Sequence, residues 1–97
     1  MSHVYTMPIR VWHRKRRPTA LQWRGVRYQV RAVLAQWRLT HRWWVTAAEA
    51  DANGGKGHTD RTYYRLCCQE AGVDWDMLCE VYHDAVTNVW VMERVLD

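Results

Sequence analysis

Apolar and polar side chains alternate along residues 19–30 around a central Arg24-Gly25 pair. A two-residue turn there sets Trp23 against Val26, Leu21 against Tyr28 and Thr19 against Val30. All six then share one face, and Gln22, Arg27, Gln29 and Arg31 take the other. One buried and one wet face is the pattern of an antiparallel pair. Upstream, residues 4–12 are rich in β-branched and aromatic side chains, and Pro8 confines that run to an edge strand. Residues 14–18, Arg14-Lys15-Arg16-Arg17-Pro18, are a polar break.

Residues 31–44 fit two periods. Val30, Val33, Leu34 and Trp37 make a helical stripe, but the run also reads as a long strand with a bulge that flips its parity after Val30. The bent strand is preferred, because it continues the hairpin and neither an N-cap nor a terminal Gly or Pro frames a helix. Residues 45–60, with Asn53-Gly54-Gly55-Lys56-Gly57, read as one long flexible loop. Residues 61–70 alternate again, with Tyr64, Leu66 and Cys68 on one side and Arg61, Tyr63, Arg65 and Gln69 on the other. Residues 77–83 and 89–96 flank a turn over 84–88 and form a second hairpin, in which Glu80 and Arg94 approach diagonally. The expectation is an all-β fold: an antiparallel sheet of five or six strands curled into a small open barrel.

The 97 residues are enough for a single domain, 1–97. Phe is absent, while seven Trp and five Tyr supply rings with polar tips, suited to half-buried or shared sites. Charge divides along the chain. Residues 1–50 carry ten Lys and Arg and one acid, Glu49; residues 51–97 carry four and nine. A bipolar surface, or ion pairing between the halves, follows. Five of the seven Trp lie in the basic half. Guanidinium groups among indoles are what a nucleic-acid surface needs, charge for phosphates and π-faces for bases. They also build the core and rim of a small β-domain.

Candidate binding residues follow from that mixture. Arg14, Lys15, Arg16 and Arg17, joined on one face by Arg27 and Arg31, are placed to grip phosphates; as a plain alternative they solvate a connection. Trp43 and Trp44 are adjacent, so on a strand one points in and the other out, and the outward ring is a candidate stacking platform or interface anchor; the equal alternative is that both pack, one in the core and one under the long loop. Arg61, Tyr63 and Arg65 share the polar side of their strand. No catalytic set emerges: His41, His58 and His83 have no neighbour pattern that orients a nucleophile, and Gly55-Lys56-Gly57 breaks the phosphate-loop order. No metal or cofactor is expected. Cys67 and Cys68 point to opposite faces, and Cys79 and His83 lie about 13 Å apart along theirs, too far for ligands that must each sit about 2.0–2.3 Å from one ion. Three cysteines make no disulfide framework. With no apolar leader and no apolar run of spanning length, a cytoplasmic location without membrane contact is expected.

Residues 17–30, Arg17-Pro18-Thr19-Ala20-Leu21-Gln22-Trp23-Arg24-Gly25-Val26-Arg27-Tyr28-Gln29-Val30, resemble the opening of an uncharacterised family of small bacterial domains. Val33-Leu34, Trp37-Arg38, Arg42-Trp43-Trp44, residues 61–66 and the run from Tyr82-His83-Asp84 through Trp90 to Leu96-Asp97 continue it. The Trp pair, aromatic strand and closing hairpin are also similar to the C-terminal segment of ImuB-type proteins, inactive relatives of Y-family DNA polymerases. The family pattern has shorter connections than 45–60 and 69–76, and usually Tyr where Leu96 stands. The resemblance implies a bacterial cytoplasmic setting and a link to DNA-damage tolerance, and it supplies no catalytic residue. The expected function is a non-catalytic adaptor with a protein partner in DNA repair or translesion synthesis; the alternative is direct binding of single-stranded nucleic acid. The oligomeric state stays open.

Overall fold

The computed structural model describes the backbone of residues 3–44 and 56–96, and the side chains of 4–40 and 59–96. Six antiparallel strands, β1 (His3–Arg14), β2 (Arg17–Trp23), β3 (Val26–Trp44), β4 (Lys56–Glu70), β5 (Met77–Asp84) and β6 (Val89–Leu96), follow one another in space as in sequence. The curled sheet goes on to close: β6 pairs with β1 from His3↔Val95 to Ile9↔Trp90. Closure removes the free edge that Pro8 was expected to need. Pro8 pairs with Val91, and it is tolerated because β2 joins β1 only from Arg10↔Gln22 onward, leaving one flank of β1 without a ladder at that point.

The first hairpin has the expected register, Leu21↔Tyr28 and Trp23↔Val26, around a turn in which Arg24 (φ 53°) and Gly25 (φ 77°) are both left-handed. That is the two-residue geometry whose twist matches the strands. Pairing ends at Ala20↔Gln29, so Thr19 does not meet Val30. Instead Thr19 is the extra residue of a bulge opposite Trp12 and His13, and its hydroxyl donates to the Trp12 carbonyl at 3.1 Å. The polar break at 14–18 is itself a tight hairpin turn, Lys15 (φ 50°) and Arg16 (φ 64°) between the paired Arg14 and Arg17.

β3 is the long bent strand, with bulges at Arg31 and Leu34. The first keeps Val30 and Val33 both against the core despite their odd spacing. Strand β4 already begins at Lys56, so residues 56–60, expected in the loop, belong to a ladder that runs to Trp44↔Lys56. Residues 45–55 lie outside the described residues. Only Arg61–Cys68 of β4 is matched by β5, and β2 reaches β3 no further than Gln29, so the far parts of β3 and β4 project past the barrel as a two-stranded arm.

Leu21, Leu66, Val81 and Met92 fill the barrel and are fully buried, with Cys68 and Cys79 beside them. Each large apolar side chain sealed this way contributes roughly 1.5–3 kcal/mol. The end of the barrel at the Arg24-Gly25 turn is stoppered: Tyr5 meets Trp23 edge to face at 5.0 Å, and the Arg24 guanidinium lies 4.8 and 4.7 Å from the two ring centres.

Candidate functional site

Among the described side chains, cations fall into two sets. On β4 and β6 they are neutralised by the chain's own carboxylates. Arg65 and Arg94 reach the two oxygens of buried Glu80 at 2.7 and 3.3 Å, and Arg61 stands 3.8 Å from Asp84. Arg38, on the arm, holds Asp60 with two hydrogen bonds of 2.9 and 2.8 Å, which raise its already high pKa. By contrast Arg10, Arg14, Lys15, Arg16, Arg17, Arg24, Arg27 and Arg31 are all exposed, and none has a carboxylate within ion-pair distance among the described residues. They occupy β1, β2, the start of β3 and the two turns between them.

On this flank the outward residues of three strands line up as Arg10↔Gln22↔Arg27 and Trp12↔Ala20↔Gln29. Arg27 and Arg10 hold their charge 4.6 and 5.7 Å from the Trp12 ring centre. The indole steadies both guanidinium groups, and both arginines remain exposed. From Arg10 to the turn at Arg14 is about 13 Å of strand. A groove of about 660 Å³ borders this flank, lined by Thr19, Arg27 and Gln29 on one side and the 69–74 turn on the other.

The opposite flank is aromatic. Trp37, Tyr63 and Tyr82 occupy one row across β3, β4 and β5. Trp37 stacks on Tyr63 at 5.5 Å with the rings 4° apart, and Tyr63 meets Tyr82 at 5.1 Å. Arg61 sits 4.6 Å from the Tyr82 ring centre and donates to the Tyr63 hydroxyl at 3.5 Å, so its charge is spent within the row.

Between the two flanks is the open end of the barrel. A cleft of about 820 Å³ lies there, lined by His13, Arg16, Gln36, Trp37, Arg38, Asp60, Thr62, Tyr64, His83, Ala85, Asn88 and Trp90. Trp90 is its aromatic wall, with His83, Tyr64 and His13 tilted around it at 4.8, 5.6 and 5.7 Å. Two bonds fix the rim. The Tyr64 hydroxyl donates to the Arg16 carbonyl at 3.1 Å, and the Ala85 amide donates to the Asp60 carbonyl at 2.8 Å. His83 Nε2 is 2.9 Å from the Asn88 side-chain oxygen.

Arg14, Lys15, Arg16, Arg17 and Arg27 therefore stand as an exposed, unpaired set. Arg31 is at a bulge, bonded to Gln69. Arg61, Tyr63 and Arg65 share the outer side of β4, but on the other flank and with both charges met. The side chains of Trp43 and Trp44 lie outside the described residues. Sequence reasoning missed Arg10, Trp12, His13, Trp37 and Trp90. The alternation Arg10-x-Trp12 was a readable sign for the first two; the others meet only through β1–β6 closure and the arm. Cys68 and Cys79 are core thiols with sulfurs 3.9 Å apart, and no group of three His, Cys, Asp or Glu is placed to hold a metal among the described residues. Nor is any helix long and apolar enough to cross a membrane found among them.

These features define a class: a small, closed, six-stranded antiparallel barrel, sealed at one end, with an aromatic cleft at the other and an unpaired basic flank. Over residues 1–97 the chain matches a family described as a domain of unknown function, DUF6504, and it belongs to that family. Neither a curated protein nor a solved structure matches it.

Proposed function

We propose that this chain is a non-catalytic binding module that takes single-stranded nucleic acid along its β1–β3 flank. The observation that carries the reading is the division of cations among the described side chains: those of β4 and β6 are met by Glu80 and Asp84, while eight on the β1–β3 side face solvent without an acid. A stable surface does not require unpaired like charges side by side; a polyanion does. The Lys15-Arg16 turn supports it further. Both residues hold left-handed backbone that Asn-Gly adopts more easily, a strain of order 1 kcal/mol each that keeps two cations at the tip. The test is fluorescence anisotropy of a labelled oligonucleotide. With five phosphates neutralised, affinity should fall about 100-fold between about 50 and 200 mM salt. No binding at the lower salt removes the reading.

A protein partner is a second reading, favoured by the Trp37–Tyr63–Tyr82 row. An exposed Trp37 backed by half-buried Tyr63 and buried Tyr82, with the neighbouring charges cancelled, fits a protein interface better than a phosphate chain. The resemblance to the ImuB C-terminal segment is what points such a partner to DNA repair in a bacterial cytoplasm. Tyr63→Ala, outside the cleft at the barrel's open end, should then weaken that interface while leaving oligonucleotide affinity intact.

A further inference from the structure

We infer that the open mouth of the barrel is a nucleotide pocket, taking one nucleoside monophosphate unit, free or at the end of a strand. The second source rests on the proposed nucleic-acid reading; the first does not. The two ends of the barrel differ in chemistry. One is stoppered by Tyr5, Trp23 and Arg24. The other is open, and its lining brings together rings and hydrogen-bonding groups rather than aliphatic side chains: His13, Gln36, Thr62, Tyr64, His83 and Trp90 among them.

The volume, about 820 Å³, falls in the range of small-ligand sites. Trp90 offers a flat apolar wall, and the rings around it are tilted 33–41° to it rather than stacked on it. A planar heteroaromatic ring is the ligand that uses such a wall. The Gln36 amide and the Thr62 hydroxyl can each donate and accept, which suits the edge of a base. Arg38 in the lining is already matched by Asp60, whereas Arg16 has no acid within ion-pair distance among the described residues. A second depression, of about 450 Å³, shares Arg16 and Gln36 with the cleft and adds Lys15 and Arg17. The charge available to an anionic tail is thus on one side of the mouth, continuous with the basic flank. Ring site and phosphate site adjoin at Arg16 and Gln36.

The test is NMR on the whole chain, following the Trp90 indole N–H and the ring protons of His13 and His83. Titrants are the four nucleoside monophosphates, their nucleosides, inorganic phosphate and a 5′-phosphorylated oligonucleotide. At millimolar concentrations a monophosphate should move all three sets of signals, and inorganic phosphate should leave Trp90 in place. Gln36→Glu, at an exposed position, sets a carboxylate beside the proposed phosphate site and should weaken the monophosphate at least about tenfold, with the urea midpoint unchanged as the check on folding. If the oligonucleotide binds but neither it nor any monophosphate moves Trp90 and His83, the pocket is refuted and the nucleic-acid reading stands. If monophosphates move them and the oligonucleotide does not bind, the pocket stands and that reading falls.

Discussion

Glu80 shows how one residue ties sequence to surface. Its side chain is 8% exposed on the outside of the barrel, yet it is charged, and it is accommodated because Arg65 and Arg94 close over it from β4 and β6. Glu80→Gln leaves two guanidinium groups without their carboxylate and should cost about 1–2 kcal/mol in urea unfolding. Removing the far more exposed Arg38–Asp60 pair by Arg38→Gln should change little. The sequence hinted at Glu80 near Arg94 as a diagonal. They are direct partners, because a bulge between Glu80 and Val81 resets the register, and Arg65 was invisible until β4 and β5 were known to be neighbours. Buried protons give a second expectation. The Cys79 thiol is held up by its hydrogen bond with Cys68 and by burial, above the ordinary 9.0. Burial likewise lifts the Tyr28, Tyr64 and Tyr82 phenols above 10.0. The unfolded chain sheds these protons first. Their contribution is therefore complete below pH 9 and is lost as pH rises beyond it. Urea midpoints should decline above pH 9; a midpoint flat through pH 11 contradicts the burial.

Turns and bulges govern the elements. Gly25 sits at φ 77° with nothing within 4 Å of where a Cβ would go, so Gly25→Ala should cost about 1 kcal/mol from backbone strain alone. The Lys15-Arg16 turn should respond the other way. Replacing it with Asn-Gly should raise the urea midpoint while weakening oligonucleotide binding, since the substitution relieves strain and deletes two cations. A gain in both would mean that those side chains serve no ligand. The first hairpin was readable because its alternation and its turn agree. β3 was readable only in outline: one flip of parity is visible after Val30, but the bulge at Leu34 leaves no distinct mark, since either side of the strand there carries apolar residues. The extent of the arm was hidden because Lys56-Gly57, residues of poor strand propensity, still pair when β3 supplies a partner.

At the scale of the molecule, alternation says which side chains share a face but not which strands meet. Barrel closure joins residues nearly a whole chain length apart, and it is closure that brings His13 to Trp90 and makes the mouth. The charge asymmetry was legible from counting; which cations end up neutralised was not, because that depends on the β4–β5–β6 ladder. The central claim is that the cations left over are the ones that bind. It is tested most directly by oligonucleotide affinity against salt for two matched double variants. Arg10→Gln with Arg27→Gln should weaken binding and flatten the logarithmic salt slope by about 0.7 for each phosphate no longer neutralised. Arg65→Gln with Arg94→Gln, measured at a temperature where its circular dichroism matches the parent because Glu80 loses both partners, should leave affinity and slope as in the parent. Equal losses from both pairs, or a larger loss from the second, would contradict the account.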